Sequence, residues 1–304
     1  MNTQVPDIPA GPGPAIRRED RPQPAYWNGV FAMTLCVFAL IASEFMPVSL
    51  LTPIAAELQV SEGRVGYGIA ISGAFAVLTS LSISTIAGSL NRRTLLLWLS
   101  GLMGVSALVV ALAPDYPAYM IGRALIGVVV GGFWSMSAAV AIRLVPADKV
   151  PKALAVFNGG NALATVVAAP LGSYLGGLIG WRGAFFCLMP VILIALAWQW
   201  ASLPSMPAPS RPAGSGGIFK LLRNRLVTLG MLAVGVFFMG QFALFTYIRP
   251  FLETVTRVDI PTLSMILLVL GMAGVLGTTL IGAFLKRSLY ATLATIPVLM
   301  ALIA

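Results

Sequence analysis

Glu44 lies in the middle of the first long apolar run of the chain and is the sole charged side chain across residues 31–54. An ionised carboxylate at that depth in hydrocarbon costs roughly 2.5–3.5 kcal/mol on insertion scales. Such a residue either faces a polar cavity and has a task there, or is neutralised by a cation in a structural pair. The candidate cation is Arg123, near the start of the fourth apolar run. Opposite charge favours the ionised form of a carboxylate, and desolvation favours the protonated form. A carboxylate under both influences can bind a proton on one side of a membrane and release it on the other, which is the minimal equipment for proton-coupled exchange. Arg123 is also close enough to the end of its run to snorkel towards an interface, and that alternative stays open.

A solute would need further partners. Trp134 follows Phe133 in the fourth run, Asn158 and Asn161 sit one helical turn apart in the fifth, and the seventh carries Gln241, Phe245, Thr246, Tyr247 and Arg249. Amides and hydroxyls beside aromatic plates suit an uncharged, polar, ring-bearing solute. Trp134, Asn158, Asn161, Gln241 and Tyr247 are therefore the expected cavity lining. The competing reading is a lipid-facing aromatic belt with hydrogen bonds between helices. Gly122, Gly127, Gly131 and Gly132 are expected to thin one face of the fourth run. Pro170, Gly172 and Gly176 are expected to bend the fifth and let it pack closely, either as ordinary packing or as part of a rocking helix pair. Arg92 and Arg93 form a basic pair after the second run and are candidate gating residues.

Enzyme chemistry is not written here. The chain has no histidine, no Gly-rich phosphate loop ending in Gly-Lys-Ser or Gly-Lys-Thr, and two cysteines, Cys36 and Cys187, both inside apolar runs. No metal site, cofactor site or disulfide framework is expected from that inventory, and energy would have to come from an ion gradient.

The elements that must hold these residues are membrane spans. Apolar residues make up 58% of the chain and charged ones 10%, against roughly 25% charged in a soluble domain. At about 20 apolar residues per crossing, spans fall near 27–55, 66–90, 94–113, 118–142, 153–179, 183–203, 226–251 and 263–285, with a ninth from 289. The net charge of +9 comes from short clusters between spans, so a nucleic-acid partner is not expected. With the N-terminus cytosolic, 14 of the 19 Lys and Arg fall on the inside, as the positive-inside bias requires. Residues 1–25 read as a disordered cytosolic tail and 204–225 as a cytosolic linker. The linker separates a six-helix lobe at 26–203 from a partial second lobe at 226–304. Glu44-Phe45 with Pro53 recurs as Gln241-Phe242 with Pro250, at an offset of 197 residues, which suggests a parallel repeat. The last run is still apolar at Ala304, so about eight or nine of twelve helices are expected.

These residues carry a resemblance over the whole chain. Glu44-Phe45-Met46-Pro47, Gly122-Arg123-Ala124-Leu125-Ile126-Gly127, Ala169-Pro170-Leu171-Gly172 with Gly176-Gly177, and Trp181-Arg182 resemble the major facilitator superfamily, in its drug:proton antiporter group with sugar-efflux-type members. Ala169 stands where that group usually has Gly, and Asn91-Arg92-Arg93 replaces a longer loop containing Asp. Residues 47–53, 131–137, 143–146 and 240–250 are similar to the branch that exports purine ribonucleosides in exchange for protons. The resemblance implies an all-helical, multi-pass carrier of the bacterial inner membrane, working as a monomer on a small molecule and protons. Sugar or multidrug export by the same fold, or a copy that no longer transports, remains open at this point.

Overall fold

The computed structural model describes residues 25–88, 90–207 and 224–303. The tail expected over 1–25, apart from Ala25, and most of the linker expected over 204–225 lie outside the described residues. All regular structure among the described residues is helical. The order is α1 (Trp27–Ser49), α2 (Leu51–Leu58), α3 (Glu62–Ile86), α4 (Arg92–Ala111), α5 (Tyr116–Trp134) and α6 (Ser137–Arg143), then a 3-10 turn at Ala147–Lys149. Helix Val150–Ser202 is too long for one crossing. It breaks at Gly180, whose φ of 76° and ψ of 164° suit glycine alone. Its arms are α7 (150–179) and α8 (181–202). The order ends with α9 (Arg225–Thr254), α10 (Ile260–Arg287) and α11 (Leu289–Ile303).

Helices begin where a polar side chain can accept from the first free amides. Ser61 accepts from the Arg64 amide at 3.3 Å, Asn91 from Arg93 at 3.0 Å, Asp115 from Ala118 at 2.9 Å and Asp259 from Thr262 at 3.3 Å. Pro117 and Pro261, in the first turns of α5 and α10, need no donor there. The spans expected from hydropathy correspond to these elements, with two corrections. The first run is broken at Leu50 into α1 and α2, and the fourth stops at Trp134 and restarts as α6. Pro47 and Pro53 account for the first break, because each removes an amide donor from the helical ladder. In Val150–Ser202 the residue with non-helical backbone angles is Gly180, which falls between the spans expected at 153–179 and 183–203, and the bend expected at Pro170 leaves its helix unbroken.

One end of the molecule gathers α2 and the starts of α3, α5 and α8. There Glu57 accepts from Trp181 Nε1 at 2.5 Å and pairs with Arg182, which also donates to the Ala113 carbonyl at 2.5 Å. The opposite end gathers the starts of α1 and α4 and the end of α8. Tyr26 donates its amide to the Leu144 carbonyl at 2.8 Å, and Arg93 Nη2 donates to the Trp200 carbonyl at 2.6 Å.

Between the ends, close approach depends on small residues, because lipid supplies no hydrophobic drive for helix association. A Cβ on Gly127 or Gly131 would land on the backbone of Ser72 or Ala76 in α3; one on Gly122 or Gly132 would strike Val110 or Leu99 in α4. The α5 glycines therefore thin two faces, not the single face expected. Gly160, Gly172 and Gly176 of α7 do the same against Thr34, Ser49 and Leu50, seating α7 along the whole of α1 and over its break. Gly271 of α10 backs onto Val166 of α7, 3.1 Å from its carbonyl oxygen as a Cβ would sit. That carbonyl is the one Pro170 leaves without its usual amide donor.

Candidate functional site

The central site is built on the break in α1. A proline at position i removes the amide that would bond the carbonyl at i−4. Pro47 thus frees the carbonyl of Ser43, and Pro53 frees that of Ser49. Freed carbonyls at this depth must be satisfied by protein, since the bilayer offers no donor. Two buried arginines do so. Arg123 of α5, 1% exposed, donates from Nη1 to the Ser43 carbonyl at 3.2 Å and from Nε to the Gly68 carbonyl at 3.1 Å. Arg249 of α9, 5% exposed, donates from Nη1 to the Ser49 carbonyl.

Arg123 Nη2 lies 3.0 Å from Glu44 Oε1, and Glu44 keeps 17% of its side chain exposed. The approach is ionic and lies off the direction of the N–H bond. Ser72 Oγ of α3 donates to Glu44 Oε2 at 2.9 Å. The carboxylate is thus held by two other helices while one side of it stays open. Gly68 makes the arrangement possible: a Cβ there would meet Tyr119 Cε1 at 2.7 Å and Arg123 Cγ at 3.1 Å. The hydroxyl of fully buried Tyr119 has no hydrogen-bond partner.

Phe45, next to Glu44, stacks on Phe242 at 6.1 Å with the rings 3° from parallel, and meets Phe245 edge-on at 5.7 Å. Phe45 and Phe242 are the two residues matched by the 197-residue offset. The same offset pairs Glu44 with Gln241, which is exposed on α9.

The expected lining residues form two groups. Trp134 is 38% exposed and packs edge-on against Phe157, whose neighbour Asn158 is exposed and donates to the Leu154 carbonyl in its own helix at 2.9 Å. Asn161, one turn on, is half-buried. Gln241 and Tyr247 lie on α9, and the Tyr247 hydroxyl covers Gly66 of α3. Arg92 and Arg93 sit at the start of α4, where Arg93 ties α4 to α8. Gly172 and Gly176 receive Ser49 and Leu50 of the α1 break, and Pro170 is buried in the same arm. Sequence reasoning missed Ser72, Gly68 and the carbonyls of Ser43 and Ser49. The prolines were a usable signal for the carbonyls, because the i−4 rule needs no structure. Among the described residues no cluster of His, Cys, Asp or Glu could hold a metal.

The described spans carry a carboxylate–arginine pair between α1 and α5 and a ring contact between Phe45 of α1 and Phe242 of α9. The Major Facilitator Superfamily model matches residues 33–304. The chain is 65% identical over 289 residues to a Pseudomonas aeruginosa protein named transcription regulatory protein OpdE, covering 94% of this chain and 72% of that one. It is 43% identical over 279 residues to the purine ribonucleoside efflux pump NepI of Salmonella typhimurium, covering 91% and 70%. Among solved structures, a bacterial homolog of the human lysosomal transporter Spinster, inward-facing and unoccupied, superposes with a TM-score of 0.73 at 19% identity, covering 87% of this chain. The chain spans 63% of that transporter's length. A D-xylose-proton symporter gives 0.64 at 16% identity, covering 86% of this chain and 69% of the other. This chain belongs to the major facilitator superfamily.

Proposed function

We propose that the chain is a proton-coupled exporter of purine ribonucleosides of the inosine or guanosine type. The observation that carries the mechanism is the partly exposed Glu44, tied to buried Arg123 and to Ser72. When Glu44 takes a proton, its charge no longer holds Arg123, and Arg123 falls back on the Ser43 and Gly68 carbonyls. When the proton leaves, the ion pair re-forms. Each state pulls differently on α1, α3 and α5, which is the differential interaction a two-state carrier needs. The substrate assignment is supported by the 43% identity to the nucleoside pump. Trp134, Asn158, Asn161, Gln241 and Tyr247 are proposed to contact the solute. Arg92, Arg93, Pro170, Gly172 and Gly176 are proposed to shape the moving interfaces.

The residues at 26–203 form one lobe and those at 226–304 belong to a second, with the N-terminus cytosolic, as the basic-residue bias supports. The Glu57 end then faces outward. Efflux of labelled inosine from cells making the chain, with chloramphenicol and a labelled sugar run beside it, tests the assignment. Faster loss of inosine than of the comparators supports it; faster loss of a comparator transfers the function to drug or sugar export.

A second reading, a role in gene regulation, is favoured by the name of the 65% identical relative. Transcript profiles of cells carrying wild type and Glu44→Gln separate the two. A transcriptional effect that survives Glu44→Gln, in a variant that no longer exports, assigns regulation to something other than transport.

A further inference from the structure

We infer that Arg249 is a positioning residue that latches α9 to α1 at the Glu57 end by claiming the Ser49 carbonyl that Pro53 leaves without an amide donor. The inference rests on the transporter reading, in which α1 and α9 separate at this end when the cavity opens outward.

Three observations meet at one atom. The chain turns at Leu50, with φ −117° and ψ 10°, so the Ser49 carbonyl points out of the helical ladder. Pro53 cannot supply the amide that would otherwise bond it. The Arg249 guanidinium, on a different helix 200 residues away, donates to it. Arg249 is aimed from its own helix: Glu253, one turn on, accepts from its Nε at 2.8 Å and pairs with its Nη2 at 2.8 Å. That leaves Nη1 free to reach α1. Thr246, Arg249 and Pro250, the buried residues of α9, lie on one face of the helix.

Further contacts flank the Arg249–Ser49 bond. Phe45 with Phe242 and Phe245 fills the same seam one turn deeper, and the Tyr247 hydroxyl sits over Gly66. Toward the other end, α9 shows exposed apolar residues such as Leu229, Leu232 and Val236. The buried residues of α9 and its ring contacts with α1 lie in the half that holds Arg249. A charged donor on a carbonyl suits a latch. It is strong enough to hold a closed seam, and the carbonyl and the guanidinium can each take water when the seam opens.

The test uses cysteine accessibility on the full chain in membranes, with Cys36→Ser and Cys187→Ala as background. Thr246→Cys, 6% exposed, reports the Glu57 end, and the exposed Asn158→Cys reports the opposite side. Labelling by an impermeant maleimide is scaled to labelling after denaturation, so misfolded protein is counted. Arg249→Gln should speed Thr246→Cys labelling from the outer face by about tenfold, the shift expected from one lost charge-assisted hydrogen bond. It should slow Asn158→Cys labelling from the inner face. Pro53→Ala, which returns an amide to the Ser49 carbonyl and leaves Arg249 intact, should act in the same direction. Arg249→Lys, still a donor, should lie closer to wild type. A merely structural role would change both reporters alike. Unchanged labelling in both Arg249→Gln and Pro53→Ala, or equal change at both reporters, overturns the inference. Neither substrate nor proton gradient is needed, so the result stands apart from the nucleoside assignment.

Discussion

Arg123 and Arg249 use the same device in two regions of the molecule, and they differ in where the carboxylate lies. Each claims a carbonyl of the first span opened by a proline four residues later, Ser43 by Pro47 and Ser49 by Pro53. The Arg123 carboxylate, Glu44, belongs to a different helix and is also held by Ser72 of a third. The Arg249 carboxylate, Glu253, is on the same helix four residues on, and its second oxygen has no partner. A pair spread over three helices changes their mutual fit when its charge changes. A pair within one helix travels with that helix and keeps its charge arrangement. The first geometry suits coupling to a proton, the second suits gripping and letting go.

Removing each arginine in turn should affect the two regions unequally. Arg123→Ala strands Glu44 and the freed Ser43 carbonyl, and should cost about 3–5 kcal/mol, the usual penalty for breaking a buried pair. Arg249→Ala should cost less, about 1.5–3 kcal/mol, because Glu253 is one-quarter exposed and can rehydrate. Denaturation of the two variants in the same detergent measures the gap; equal losses would remove the distinction. Gly127→Val tests whether the Arg123 region depends on close approach of α3. Its Cβ would strike the Ser72 carbonyl, so it should destabilise by about 1–3 kcal/mol through overpacking and weaken the Ser72 contact to Glu44.

Ser72→Ala is gentler, removing one hydrogen bond to a partly exposed carboxylate, and should cost about 1.5 kcal/mol while altering the pH dependence of transport more than its maximum rate. The smallest effect is expected outside the bilayer, at the turn between α9 and α10. Hydrogen bonds from Thr262 hold the exposed Asp259 carboxyl below its ordinary value of 3.8. A lowered value means that the cap stabilises the start of α10 above the ordinary carboxylate range and loses that contribution as pH falls through the folded value. The melting temperatures of wild type and Asp259→Ala should therefore differ near neutral pH and converge in acid.

The sequence made the ionic core conspicuous because a charge in an apolar run has no cheap explanation; Glu44 and Arg123 were visible for that reason. Ser72 and Gly68 were not, since small residues in a span look the same whether they pack or bond. The breaks at Leu50 and after Trp134 were hidden because no charge marks either one, although Pro47 and Pro53 gave the first away in principle. The glycines of α5 show what simple geometry still offered. At about 100° per residue, Gly127 and Gly131 share a direction that Gly122 and Gly132 do not. Arg249 stood out as a polar residue in a span, but its acceptor is a backbone atom of another helix, and side-chain patterning carries no record of such partners.

In the proposed mechanism Glu44 is the proton carrier. The decisive measurement is transport by Glu44→Gln in vesicles, comparing nucleoside exchange at equal pH with accumulation driven by a pH gradient. Exchange should persist and gradient-driven accumulation should be lost. Accumulation at the wild-type rate would show that the proton travels by another group.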